Sequence, residues 1–371
     1  MPFTSFPPEL VLKIFHLASL DQPQSYRACL CFIRKVWADI AREILFQHVE
    51  IRLRSGMDKS PVSVPRTDFA RHIKNLTFRF DNEQGAVAAN TAPPPLDPGL
   101  SFPDVFAELA EAATSISTLQ FHVSFHSFVS FPADLFQTFS LNNITHLTVS
   151  GHNGVPVKTI FELCSNLRSL VLDAIFFSMV RHPKTLKLPR RPVTHFHLNV
   201  WSLGQSMEAM FQSVSKSITS LSFGVNQSGR LEAALRIVGA RLKSLELRRL
   251  ESEAARPPTL QHLITTITFE CPYLERLAFD TDFDWSFTPL NVLLSLPPSL
   301  KVLSISDCRD ISADIVAALR RSDWLPKLAE LRVVRLFGGE GGSQCRAEAM
   351  GLCAQRGITI QDEESFMQVH L

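Results

Sequence analysis

Very little in this chain is charged in excess: 37 Lys and Arg stand against 36 Asp and Glu, a formal net charge of +1. That balance argues against a nucleic-acid binder, whose affinity rests on neutralising phosphates, and against a polybasic membrane-surface protein. Cysteine is scarce as well, with 7 in 371 residues. Only Cys29 and Cys31 lie close together, and a single C-x-C without a second pair fits no zinc spacing. Reduced, small, mostly buried cysteines in an intracellular protein are expected. No apolar run approaches the ~18 residues a membrane helix needs. The apolar stretch at 10–20 is broken by Lys13 and His16 and has no cationic segment before it, so no secretory signal is expected. The expected location is the cytoplasm, the nucleus or both.

Recognisable catalytic chemistry is missing too. There is no G-x-S-x-G, no G-x-x-x-x-G-K-[ST] and no H-E-x-x-H. The run GGEGG at 338–342 has the glycines of a phosphate loop without its Lys and Ser/Thr, and reads as an inter-repeat loop. His195 and His197 alternate as a strand does, and His146 occupies the equivalent position two repeats earlier. A metal site would need further ligands, and none is indicated. No cofactor and no metal are expected, and the chain reads as non-catalytic.

What is present is an apolar fraction of 45%, enough for a large core, arranged as a repeat. One unit recurs: an aliphatic residue, two variable residues, Leu or Phe, one variable residue, then another apolar residue. IKNLTF, ISTLQF, ITHLTV, LRSLVL, VTHFHL, ITSLSF, LKSLEL, LERLAF, LKVLSI and LAELRV are its copies. They centre on Leu76, Leu119, Leu147, Leu170, Phe196, Leu221, Leu245, Leu277, Leu303 and Leu331. At this composition three apolar positions coincide by chance in roughly one window in eleven, so one copy means little and ten at a near-constant step mean much. Period-two alternation around each centre predicts a short strand.

Between the strands the period changes to 3.6. Met207, Met210, Phe211 and Val214 form one helical stripe; Leu231, Ala234, Leu235 and Val238 form another, and Leu260, Leu263, Ile264 and Ile267 a third. Ser312 is placed to N-cap a further helix, with Ile311 and Val316 as a hydrophobic staple and Asp314 favourable to the dipole. A last helix around 347–354 and a strand GITIQ at 357–361 would close the array. Neither strand nor helix can bury its face alone, so neighbouring units must stack. The Pro- and Ala-rich stretch 81–103 interrupts the period and reads as an insertion. Residues 181–191 hold five Lys or Arg and no acid; they read as a solvated loop or as a contact for an acidic partner.

These copies resemble the leucine-rich repeat, especially its irregular α/β form with helices on the convex side. The resemblance implies an α/β solenoid over 48–371, about ten strand–helix repeats with a curved sheet. The position five after each centre departs from the family, which favours Asn or Cys there; Cys308 fits, whereas His152, Ile175 and Leu250 do not.

The first 47 residues do not repeat. Phe6-Pro7-Pro8-Glu9-Leu10 opens a helix whose apolar stripe includes Leu10, Ile14, Leu17 and Ala18, and a second stretch carries Leu30, Ile33, Trp37 and Ile40 at helical spacing. At Phe6–Leu10 and at Ile33-Arg34-Lys35-Val36-Trp37 the chain resembles the F-box, with Phe6 in place of the usual Leu. The resemblance implies a small helical domain at 1–47 that docks a Skp-type adaptor and, through it, a cullin–RING ubiquitin ligase. Phe6, Pro7, Glu9, Leu10, Ile14, Leu30, Ile33, Lys35 and Trp37 would carry that contact. Alternatively, the same segment serves only as a cap on a leucine-rich interaction scaffold.

In a leucine-rich horseshoe the positions at −1, +1 and +3 from each centre line the concave face. A substrate-binding role is therefore expected of His146, His195, His197, Glu246, Arg248, Arg276, Asp280 and Arg332. Arg248, Arg276 and Arg332 would meet acidic or phosphorylated segments of a protein substrate.

Overall fold

The computed structural model describes residues 47–54, 72–81, 115–123, 129–130, 141–177, 187–202, 206–224, 228–248, 257–279, 290–306, 312–334 and 342–362. The F-box-like segment, the 81–103 insertion beyond Asp81, and Cys29, Cys31, Asp280 and Cys308 lie outside them. The chain divides into two compact units, Met1–Leu167 and Arg168–Leu371.

In the first unit, strands β1 (His48–Arg54), β2 (Asn75–Asp81), β3 (Thr118–Val123) and β5 (His146–Ser150) run parallel in chain order. A two-residue strand, β4 (Val129–Ser130), pairs with β6 (His152–Val155). The repeat centres fall in one row, Val49↔Leu76↔Leu119↔Leu147, and two residues later Ile51↔Phe78↔Phe121↔Val149 form the second. All eight are buried, and the Phe78 and Phe121 rings stack with centroids 5.3 Å apart. Val49 is thus a repeat centre upstream of the ten found by sequence. The helix Val157–Leu163 adds Val157, Ile160 and Phe161 to the buried side.

The second unit is the regular one. β7 (Ser169–Phe177), β8 (His195–Ser202), β9 (Ser220–Gly224), β10 (Ser244–Arg248), β11 (Arg276–Phe279), β12 (Val302–Ser306), β13 (Glu330–Val334) and β14 (Thr359–Asp362) are parallel and lie in chain order. Leu170, Phe196, Leu221, Leu245, Leu277, Leu303, Leu331 and Ile360 stand side by side across them. The result is a stacked strand–helix array: each strand buries one face and pairs along its edges with the strands of neighbouring repeats.

The expected helical stripes are the buried ones. Met207, Met210, Phe211 and Val214 of helix Ser206–Val214 are inside, as are Leu231, Ala234, Leu235 and Val238 of helix Ser228–Val238. In helix Pro257–Glu270, Leu263, Ile264 and Ile267 are inside. Phe211 sits between the strand rows, its ring 5.5 Å from Phe196 and 6.1 Å from Phe223. Burying one such aromatic or aliphatic side chain contributes roughly 1.5–3 kcal/mol, so each repeat's row residues outweigh any single polar contact. Short helices Leu290–Leu294 and Ser312–Leu319 follow. The latter begins at Ser312 itself, rather than one residue after it, and burial raises the Asp314 carboxyl above its ordinary range. The last helix is longer than its apolar pattern suggests, Gly342–Arg356, because most of its surface faces solvent and contributes no stripe.

Successive repeats are stitched at the strand entrances. Each time, one carbonyl accepts two consecutive N–H groups of the next repeat: Lys243 and Ser244 donate to Thr219, Glu275 and Arg276 to Lys243, Lys301 and Val302 to Glu275. Where the leucine-rich family turns the chain with Asn or Cys, this chain has Ile175 and Trp201. There the strands run on, so β7 spans 9 residues and β8 spans 8, with register shifts around Ile175. Cys164, Cys271 and Cys353 are buried and form no disulfide, and burial beside the Glu270 carboxylate pushes the Cys271 thiol up to about 12.

Candidate protein-interaction face

Because the centres and their +2 partners point to the helices, the residues at −1, +1 and +3 point away from them. In the second unit the −1 and +1 residues are partly or fully exposed, as are Asp173, Asn199 and Arg248 at +3, and they form the open face of the sheet. The −1 row reads Ser169, His195, Ser220, Ser244, Arg276, Val302, Glu330, Thr359. The +1 row reads Val171, His197, Ser222, Glu246, Ala278, Ser304, Arg332, Gln361.

The two histidines that the alternation places on one face have different surroundings. His195 is exposed, and its Nδ1 is 2.9 Å from Thr194 Oγ1. His197 is half-buried: its Nδ1 is 2.8 Å from Ser222 Oγ on β9 and its Nε2 is 3.8 Å from Asp173 Oδ1 on β7. Asn199 Nδ2 donates to the same carboxylate oxygen at 2.7 Å. Burial works against ionising Asp173. The hydrogen bond and charge of His197, the Asn199 donor and the Arg248 charge outweigh it, and the carboxyl sits below its usual range. Asn199 has room because its neighbour on β9 is Gly224, where a Cβ would stand 2.7 Å from Asn199 Oδ1.

Ser, His and Asp are therefore assembled on three adjacent strands. Ser222 lies mid-strand, in register with both His197 and Glu246, so its backbone groups serve the sheet. A similar pair, His122 Nδ1 and Ser150 Oγ at 2.7 Å, joins β3 to β5 in the first unit. Cross-strand bonding between imidazole and hydroxyl is thus a recurrent way of satisfying this polar face. Among the described residues no group of three or more His, Cys, Asp or Glu is placed to hold a metal ion.

The arginines expected to meet an acidic segment differ in availability. Arg248 Nε donates to Glu246 Oε1 at 2.8 Å, and Arg332 Nε to Glu330 Oε1 at 2.8 Å, each to the carboxylate two residues earlier on its own strand. They present ion pairs, not isolated cations. The Arg276 side chain is exposed and has no hydrogen-bond or ion-pair partner among the described residues. His146, in the first unit, is exposed on β5 with Nδ1 2.8 Å from Thr145 Oγ1. The Asp173–His197–Asn199–Ser222 cluster was not read from sequence as a group. Its signal is a polar residue at +1 or +3, or both, in each of three consecutive repeats: Asp173, His197 with Asn199, and Ser222.

No helix among the described residues is long and apolar enough to cross a membrane. No family model and no curated protein matches the chain. Among solved structures the chain is similar to the leucine-rich repeat-containing protein LegL7 from Legionella pneumophila, at 13% identity, with 84% of this chain and 89% of that chain covered and a TM-score of 0.45. It is also similar to a protein from Bacteroides fragilis, at 11% identity, with 85% of this chain and 74% of that chain covered and a TM-score of 0.34.

Proposed function

We propose that the protein is the substrate-recognition subunit of an SCF-type cullin–RING ubiquitin ligase. Its F-box-like segment docks a Skp-type adaptor, and its leucine-rich array captures a protein substrate on the open sheet face, in the cytoplasm or the nucleus. The observation that carries the reading is the pairing, in one chain, of Phe6–Leu10 and Ile33–Trp37 at F-box spacing with an array whose strands present a polar, solvent-facing surface. An interaction scaffold is what the array is built to be: its apolar residues are spent on the buried rows, and its open face offers hydrogen bonds and paired charge. Ser222, His197 and Asp173 act here as ladder partners, with no chemistry of their own, and the ligase's catalysis belongs to other subunits.

The test is co-purification of the full chain with the Skp-type adaptor, beside a Leu10→Ala/Trp37→Ala variant whose folding is checked by circular dichroism. Truncating two apolar interface anchors costs at least about 2 kcal/mol, roughly thirtyfold in affinity. Capture by the wild type and its loss in a folded variant is the expected result. A folded wild type that fails to bind leaves a leucine-rich interaction scaffold whose head is only a cap.

A further inference from the structure

The described end of the basic run, residues 187–191, is one part of a larger feature. In the second unit the segments that lead into β7, β8, β9 and β10 are Arg168, 187–194, 215–219 and 239–243. Together they hold seven Lys or Arg and not one Asp or Glu: Arg168, Lys187, Arg190, Lys216, Arg241 and Lys243, all exposed, and half-buried Arg191. None of the six exposed cations has an ion-pair partner among the described residues.

The fold stacks these segments along one edge. Thr194 N donates to Arg168 O at 2.8 Å, Thr219 N to Thr194 O at 2.9 Å, and Lys243 N to Thr219 O at 2.8 Å. Arg191 N donates to Ser213 O at 3.2 Å, and Ser217 Oγ to Arg191 O at 2.9 Å, fixing the Arg190 loop on the turn that carries Lys216. Three strand spacings, about 14 Å, separate Arg168 from Lys243. The next repeat ends the run: Glu275 holds Lys301 at 3.2 Å, and further on Arg321 is paired with Asp323 at 3.1 Å.

We propose that this strand-entry rim is a binding surface for an acidic segment of a partner protein. An extended segment of about five residues spans about 14 Å, so its carboxylates or phosphates can meet successive cations. The entry segments contain no aromatic side chain on which a base could stack, and the whole chain carries a net charge of only +1. Both facts favour a short acidic peptide over a nucleic acid. The rim is separate from the open face, and the proposal stands whether or not the F-box-like segment docks an adaptor.

Fluorescence anisotropy with the full chain tests it, using a labelled peptide of about ten alternating Glu and Ser residues, its Gln/Ser counterpart, and an oligouridine of matched charge. The acidic peptide binds and weakens as salt rises from about 50 to about 200 mM, and the Gln/Ser peptide binds at least about tenfold more weakly. The Lys216→Glu/Arg241→Glu/Lys243→Glu variant loses at least about tenfold, whereas Lys74→Glu/Lys158→Glu/Lys327→Glu, with the same change in net charge, stays within about twofold. Should the first variant lose its circular-dichroism signature, the milder Lys216→Gln/Arg241→Gln/Lys243→Gln set gives the same readout. Absence of acidic-peptide binding, equal loss in both charge-reversed variants, or tighter binding of the oligouridine each overturns the proposal.

Discussion

Three Gly→Ala substitutions in the second unit should change stability by different amounts and in opposite directions, which makes them a sharp test of how the repeats meet. Gly239 follows helix Ser228–Val238, and a Cβ there would stand 2.6 Å from Glu270 O and 3.0 Å from Cys271 Sγ of the next repeat. The clash is with backbone and a buried sulfur, so repeats must separate; overpacking of this kind costs about 1–3 kcal/mol. Gly357 has φ +69° at the end of helix Gly342–Arg356, where Ile358 N donates to Cys353 O at 2.9 Å and Gly357 N to Ala354 O at 3.2 Å. Placing Ala in that left-handed geometry costs about 1–2 kcal/mol, offset by about 0.4–1 kcal/mol from a stiffer unfolded chain. Gly351 is exposed inside the same helix with nothing within 4 Å of a Cβ, so Ala there stabilises by about 0.8–1 kcal/mol. Urea denaturation ranks the three, and hydrogen exchange locates the effect, because an array can open locally. Gly239→Ala should accelerate exchange in β10 and β11 above all. A Gly239→Ala variant as stable as the wild type, or a Gly351→Ala variant less stable than Gly239→Ala, would refute the packing described.

The depressed Asp173 carboxyl gives a pH prediction of definite sign. A carboxylate whose folded value lies below its unfolded value contributes stability above the unfolded value and loses it as pH falls through the folded one. The stability gap between wild type and Asp173→Asn should therefore hold near neutral pH and close below about pH 4; a gap that widens in acid in urea midpoints measured across pH would contradict the cluster. Thiol labelling tests the core: at about pH 8 a water-soluble maleimide should modify half-exposed Cys345 quickly and leave Cys271, buried and held up to about 12, unmodified until the protein unfolds. Peptide mass spectrometry showing both labelled at equal rates in the native state would place Cys271 outside the core.

Much of this architecture was legible because it is written locally. Period-two apolar spacing around Leu221 or Leu277 makes a strand face wherever it occurs, and a 3.6-residue stripe such as Met207–Val214 makes a helix face. Neither depends on what the rest of the chain does. Val49 escapes the pattern because its copy, FQHVEI, opens with Phe instead of an aliphatic residue and has Val in place of the central Leu or Phe; the strand's place beside β2 makes it the row's first member. At the other end Ile360 fills the same row beside Leu331.

The repeat, the alternation of strand and helix, the buried leucine rows and the polar character of the open face were determined by the sequence alone, since each follows from apolar periodicity. Tertiary structure decided which polar groups meet. Asp173, His197 and Ser222 are neighbours only because their strands pair in one register. Arg248 and Arg332 look like free cations in sequence, but their side chains fold back onto Glu246 and Glu330. The rim gathers Arg168, Lys216 and Lys243 from three separate repeats through hydrogen bonds between strand entrances. The physical reason is range: burying an apolar row needs only a period along the chain, whereas a charge is satisfied or left open by groups that the register brings within a few ångströms.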